Sequence, residues 1–257
     1  MRRLLAANHV VLVVLGALLV WEALSWLLRP PEYLLPYPSR ILKELFARPD
    51  IYFGNGLYTL ANTAAAFALS VAIGIALAVA IVYSKLVEKT LYTLLVAING
   101  VPKVALAPLF VLWLGTGDAS KIGIAFFIAI FAIVVDAVLG LRSVDPEMLD
   151  LARAMRGGEV RILLKIRFPN ALPSLFAGMK VSASLALVGV IVGEFVAAKR
   201  GLGYVILVSQ GTFDTPAMFA AIFVLALLGT VLFYGLELLE RRLLPWHVSH
   251  RSQRSVR

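Results

Sequence analysis

Long apolar tracts alternate with short, mostly basic breaks along the whole chain. A helix that crosses the hydrocarbon core needs about 20 mainly apolar residues in a row. Six tracts meet that length: His9–Leu28, Leu57–Tyr83, Leu91–Leu114, Ile122–Leu141, Leu175–Ala198 and Met218–Leu239. No stretch between them could fold as a separate soluble unit. The pattern therefore predicts an all-α integral membrane protein of about six transmembrane helices, a single domain over residues 1–257. In the second tract Ala64, Ala68, Ala72, Ala76 and Ala80 recur every four residues, with Ser70, Gly74 and Ala78 alongside. The fifth repeats the device with Gly189, Gly193 and Ala197. Small residues at helical spacing let helix backbones approach closely in lipid, so both stripes read first as bundle packing.

The break over residues 143–175 is longer than the others and carries its own pattern. Asp145 is placed as an N-cap, Pro146 at the first helical position and Glu147 in the first turn. The helix should run to about Arg156 and stop at Gly157 and Gly158, where glycine adopts the left-handed conformation. On it Met148, Leu151, Ala152 and Met155 share a face, with Glu147, Asp150 and Arg153 turned away. A second helical stretch, 159–167, sets Arg161 and Lys165 one turn apart, with Val160, Leu163 and Leu164 on another side. Pro169 and Pro173 should then break the chain before the fifth tract. Two short amphipathic helices joined by a glycine turn either lie in the lipid interface or dock into a groove on another protein. The pattern leaves both open.

Composition supports the bilayer reading: 61% of residues are hydrophobic and 15% charged, against roughly 45–50% and 25% in soluble domains. With no cysteine, disulfides, thiolate metal sites and cysteine nucleophiles are excluded. The net charge of +9 needs no nucleic acid, because basic residues accumulate in cytoplasmic loops of membrane proteins. An even number of spans puts both termini on one side. With that side cytoplasmic it holds Arg2, Arg3, Lys85, Lys89, the block from Arg142 to Arg167, and the tail from Arg241 to Arg257. The opposite side holds fewer, among them Arg40, Lys43, Lys121 and Lys199. The apolar run Leu4–Leu28 behind Arg2 and Arg3 exceeds the roughly 7–15 residues of a signal-peptide core and has no A-x-A-like cleavage site, so it reads as a retained first span.

Charges inside spans are costly and tend to be functional. Lys103 lies in the third tract between Pro102 and Pro108, where the helix should be broken and backbone carbonyls freed. Either it faces a central pathway and attracts an anionic or electron-rich solute, or it pairs with Asp136 for stability. Glu194, at the outer end of the fifth tract beside Gly193, belongs to an outer gate or is an ordinary acid at the headgroup boundary. Pro102, Asp136, Ser182, Gly189 and Gly193 complete the candidate pathway lining; Glu22 in the first tract has no evident role. The run from Gly115 to Lys121 resembles a phosphate-binding loop, but Ser120 stands where that motif needs glycine. No nucleotide site, cofactor site or catalytic constellation is read, and His9, His247 and His250 lack metal-ligand spacing.

The run from Asp150 to Gly157, followed by Phe168-Pro169-Asn170-Ala171-Leu172-Pro173, resembles the E-A-A-x-x-x-G loop of binding-protein-dependent ABC importer permeases. Asp150 stands for the Glu, Leu151 and Ala152 for the two Ala, and Pro169 for the distal Pro. The motif glycine falls on Arg156, so the turn is expected one residue late, at Gly157. Further stretches resemble the branch handling nitrate, taurine and alkanesulfonates: Leu35-Pro36-Tyr37-Pro38-Ser39, Pro102-Lys103 through Trp113-Leu114-Gly115, and Glu194-Phe195 with Gly201-Leu202-Gly203-Tyr204. Val192-Gly193-Glu194-Phe195, the run from Asp214 to Ala220, and Glu240-Arg241-Arg242 with Pro245-Trp246 look closer to members assigned to pyrimidine thiamine precursors or riboflavin.

The resemblance implies an inner-membrane permease that dimerises with a second protomer of the same chain around a central pathway. Its coupling loop, carried by Asp150, Leu151, Ala152, Arg153, Met155, Arg156, Gly157, Gly158 and Pro169, would engage a separate ABC ATPase that binds ATP and Mg. An extracytoplasmic solute-binding protein would deliver the solute, and Glu194 could lie at that contact. Two rivals stand beside it: a secondary transporter driven by an ion gradient, which inverted repeats with matched broken helices would favour, and a membrane scaffold whose loop binds headgroups.

Overall fold

In the computed structural model, which describes residues 2–245, every regular element is helical. Helix α1 spans Arg2–Leu28, α2 Pro38–Ala47 and α3 Pro49–Tyr83. A broken stretch follows: α4 (Lys85–Val87), a π turn (Glu88–Tyr92), α5 (Thr93–Asn99), a 3-10 turn (Lys103–Leu106) and α6 (Ala107–Leu114). Then come α7 (Asp118–Arg142), α8 (Pro146–Ala154), α9 (Glu159–Ile162), a second π turn (Leu163–Arg167), α10 (Phe168–Ala197), α11 (Leu202–Gly211) and α12 (Thr215–Leu243). His247, His250 and the basic tail from Arg251 to Arg257 lie outside the described residues, as does the side chain of His9.

Among the described residues, four helical segments are long and apolar enough to cross a membrane: Pro49–Tyr83, Asp118–Arg142, Glu159–Ala197 and Thr215–Leu243. The third expected span is instead divided. Pro102 carries no N–H and sits extended (φ −66°, ψ 92°) between α5 and the 3-10 turn. The break expected at Pro169 and Pro173 does not occur, and α9, the π turn and α10 run on as one segment. Pro169 falls in the first turn of α10, where its missing donor costs least. The π turn just before it adds a residue to the helical ring, with the Phe168 N–H donating to the Leu163 carbonyl, and so re-phases the backbone ahead of both prolines.

The contacts divide the chain into two compact units. The larger comprises residues 59–198 and 227–257. Its centre is the α7–α10 pair, whose most apolar windows are each 50% buried, against 28% for α3 and 22% for α12. The pair is antiparallel and glycine-seated. A Cβ on Gly178 would lie 2.7 Å from Asp136 Cβ, one on Gly189 2.4 Å from Ala125 Cα, and one on Gly193 3.0 Å from Lys121 Cα. Each step along α10 is matched by an equal step back along α7, so the same register holds for the whole crossing. Around it Ala66, Ala125, Ala129, Ala186 and Val190 form one small-residue core where α3, α7 and α10 meet. A larger cluster runs from Ala78 and Ile81 through Ile133, Val134 and Leu141 to Leu175.

This corrects the reading of α3. Ala64, Ala68, Ala72 and Ala76 are exposed on the protomer. The packed stripe is Thr63, Ala66, Ser70, Gly74 and Ala78, on the opposite side of the helix. Both stripes have the same period and the same small residues, so periodicity could not choose between them. Ile133 chooses, because its side chain fills the space above Gly74, within 2.5 Å of where a Cβ would be. A charge the sequence reading passed over ties α12 to the pair: Lys180 Nζ donates to Glu240 Oε2 at 2.5 Å and lies over the Phe233 ring.

The smaller unit comprises residues 1–58 and 199–226. Here Glu22 gains a role. It accepts from the Ser39 backbone N–H at 3.0 Å and from the Ser39 hydroxyl at 2.7 Å, satisfying an open donor at the N-terminus of α2. Asn55 Oδ1 accepts from the Gly201 N–H at 2.7 Å, and Gly201 takes φ +111° to start α11. The Thr215 hydroxyl donates to the Tyr33 carbonyl at 2.8 Å.

Candidate functional site

The segment that follows α7 forms as its capping residues dictate. The Asp145 carboxylate accepts from the Glu147 N–H at 2.9 Å and Pro146 opens α8. The end of the helix differs from the expectation. Arg156, not a glycine, takes the left-handed conformation, with φ +59°. The Arg156 N–H donates to the Arg153 carbonyl and the Gly157 N–H to the Ala152 carbonyl, both at 2.9 Å. That pair of bonds is a Schellman motif with Arg156 at the left-handed position. The turn is therefore not shifted: it sits at the motif's own glycine position, with arginine in the glycine conformation. Gly157 is needed for a different reason, since a Cβ there would lie 2.7 Å from the Ala152 carbonyl oxygen. Gly158, with ordinary backbone angles, caps α9.

A left-handed L-residue costs roughly 1–2 kcal/mol. Arg156→Gly should therefore stabilise the turn by about 1 kcal/mol, seen as slower amide exchange along α8 in detergent. Gly157→Ala should do the reverse and speed that exchange, because the opposing atom is backbone.

Two faces of α8 separate cleanly. Leu149, with Val144 and Ile162, is buried, and Ala152 and Ile166 pack against them. Ala152 thus belongs to the seated side and not to the Met148 face. Met148, Leu151 and Met155 are 54%, 62% and 76% exposed, so a ridge of three large apolar side chains has no cover among the described residues. The base beneath is tied down on several sides. The Asn170 amide donates to Ser143 Oγ at 2.8 Å, Arg167 donates to the Leu141 carbonyl at 2.8 Å, and the Tyr83 hydroxyl reaches the Glu159 carbonyl at 3.3 Å. Arg153 bridges Asp150 and Glu159, and the hydrogen bond to Glu159 raises the Arg153 pKa above its ordinary value. The expected second amphipathic helix is the foot of α10's segment, with Val160 and Leu164 exposed. A presented apolar ridge on a fixed base can transmit a push.

The broken stretch places Lys103 Nζ 5.4 Å from the centroid of Phe131 on α7. Asp136 packs against Gly178 of α10 and makes no ion pair among the described residues, so the Lys103–Asp136 pair is not formed. Pro102 is exposed at the entrance to the 3-10 turn.

Glu194 is not a boundary acid: it is fully buried, and the Thr59 hydroxyl donates to its Oε1 at 2.8 Å. Asn62 and Thr63, one turn on, are buried on the same face of α3. The run Thr59-x-x-Asn62-Thr63 was visible in the sequence as polar residues sharing one face of an apolar helix. Lys121, read as an outer-loop charge, is 3% exposed and donates to the Thr116 and Gly117 carbonyls at 3.1 and 2.9 Å, capping the turn after α6. Ser182 is buried, and its hydroxyl has no hydrogen-bond partner among the described residues. Gly189 and Gly193 face α7 as packing positions. The pathway candidates therefore scatter: Lys103 stands beside Phe131, Asp136 and Ser182 lie within the bundle, and Glu194 is enclosed with α3.

A family described as binding-protein-dependent transport system inner membrane component matches residues 70–245. The formylaminopyrimidine transport permease protein ThiX of Halalkalibacterium halodurans is 34% identical over 247 residues, covering 96% of this chain and 98% of its own length. The riboflavin transport system permease protein RibX of Chloroflexus aurantiacus is 36% identical over 234 residues, 90% of this chain and 87% of its own. The taurine transport system permease protein TauC of Escherichia coli is 29% identical over 238 residues, 90% and 86%. Among solved structures, a chain of the inward-facing MetNI methionine ABC transporter in its CY5 native crystal form matches with a TM-score of 0.66 at 18% identity, covering 75% of this chain and 96% of that one.

Proposed function

The chain belongs to the binding-protein-dependent transport system inner membrane components, the permease subunits of ATP-driven importers, and on that premise we propose how it is driven and what it carries. The α8 ridge of Met148, Leu151 and Met155 docks into a groove on a separate ABC ATPase, which binds and hydrolyses ATP with Mg; this chain is the transport subunit. The observation that carries the proposal is the exposure of that ridge above a seated opposite face. An amphipathic helix laying apolar anchors into a groove is a recurrent way for proteins to dock. Movement of the docked helix would swing α10, to which its base is bonded, and open one side of the pathway while closing the other.

The family premise brings two further partners, an extracytoplasmic solute-binding protein and a second permease protomer of the same chain. The distribution of Lys and Arg supports cytoplasmic termini and a cytoplasmic α8. The solute is a small polar heterocycle of the pyrimidine or flavin class. That reading is supported by the higher identity to the formylaminopyrimidine and riboflavin permeases than to the taurine permease.

The test is purification of the chain with its ATPase and binding protein, reconstitution into vesicles, and uptake assays with formylaminopyrimidine, riboflavin and taurine. Uptake that needs all three components and ATP is expected, with a heterocycle preferred. Solute-specific uptake by the permease alone under an ion gradient would instead establish the secondary-transporter rival.

A further inference from the structure

One face of α7 carries Phe131, Val135, Val138, Leu139 and Arg142, which recur at helical spacing. Beside it lies a slot of about 320 Å³, lined by these residues and by Glu88 of the first π turn. Its ends differ in chemistry. At one stands the Phe131 ring with the Lys103 ammonium over it. At the other Arg142 donates to Glu88 Oε1 at 2.9 Å. Both members of that ion pair are about 40% exposed (43% and 39%), and a pair so exposed is worth at most about 1 kcal/mol. It can therefore open and offer its donors and its acceptor to something else.

We propose that this slot is a resting site for a one-ring heteroaromatic solute leaving the permease on the α8 side; the proposal rests on the solute class put forward above. A planar ring stacks on Phe131; Arg142, with Glu88 beside it, stands about 16 Å further along α7, three turns on, and the two meet its ring nitrogens and exocyclic amino groups as it moves on toward the α8 side. The walls between are valine and leucine. A sulfonate would have to shed water against them beside a carboxylate, which is unfavourable. Ligand pockets run from roughly 300 to 1,000 Å³, and this one is at the small end, which suits a pyrimidine better than a tricyclic flavin.

The experiment uses the complete transporter, with ATPase and binding protein, in vesicles. Phe131→Leu keeps the apolar bulk and removes the ring; Phe131→Tyr keeps the ring. Leu139→Trp fills the slot from a residue that is 60% exposed, so its folding is not at issue. Formylaminopyrimidine uptake should fall about three- to ten-fold in Phe131→Leu, the loss of one stacking contact, and stay near wild type in Phe131→Tyr. Leu139→Trp should lower it at least as much, with unchanged membrane abundance and unchanged solute affinity of the binding protein. Wild-type uptake by both Phe131→Leu and Leu139→Trp overturns the site and leaves the solute class standing. A wild-type transporter that carries taurine and no heterocycle overturns both. Riboflavin carried faster than formylaminopyrimidine overturns the one-ring assignment.

Discussion

Gly189→Ala should strip the permease of about 1–3 kcal/mol of stability, and Gly189→Val should leave no folded protein in the membrane. The added Cβ would lie 2.4 Å from Ala125 Cα, 3.0 Å from its Cβ and 3.1 Å from its backbone nitrogen. Two of those atoms are main chain, so no rotamer change relieves the clash; α10 must move away from α7. That movement would open the small-residue core of Ala66, Ala125, Ala129, Ala186 and Val190. Without a hydrophobic drive between helices in lipid, close packing of this kind is what holds them together. The check is thermal unfolding in detergent together with membrane abundance. Gly54→Ala serves as control, since a Cβ there meets nothing within 4 Å. Equal behaviour of the two alanine variants would mean that the α7–α10 crossing is looser than described.

Leu151→Glu should leave the permease folded and uncouple it. Leu151 is 62% exposed at the centre of the α8 ridge, between Met148 and Met155. Surface substitutions away from packed features change stability by about 0.5 kcal/mol or less. Placed in a docking groove, however, a carboxylate replaces an apolar anchor, and central anchors contribute about 2–4 kcal/mol to association. The expected result is a fall of roughly thirty- to several-hundred-fold in ATPase binding and ATP-driven uptake. Affinity capture of the ATPase by the variant permease, measured beside uptake, checks both. Met155→Glu should act in the same direction, whereas Leu149→Glu should fail earlier, because Leu149 is buried in the seat of α8 and its loss unfolds the loop.

How much of this was legible in the sequence differs from element to element. The start of α8 could be read directly, because Asp145 and Pro146 are local signals acting on their nearest neighbours. The end of α8 could not. Two glycines drew the left-handed turn to residue 157, yet Arg156 adopts it, because the 6→1 bond to Ala152 needs Gly157 for its close approach instead. The prolines misled in the same way. Pro169 and Pro173 looked like a break, but a π turn upstream carried the helix past them, and π turns leave no clear mark in composition.

The sequence by itself determined that the chain lives in a bilayer, where the four long apolar helices among the described residues lie, and which loop presents an apolar ridge. These follow from hydropathy and local capping, which depend only on residues close in the chain. The tertiary structure alone decided which small-residue stripe of α3 is packed, that Glu194 is buried against Thr59, and that Lys103 stands over Phe131 without pairing with Asp136. Each of those turns on the rotation of one helix against another. Such a rotation is set by contacts between residues distant in sequence, as when Gly74 receives Ile133 and Gly189 receives Ala125. Small residues with a period near four line both of two opposite faces of α3, and only the neighbouring helix breaks the tie.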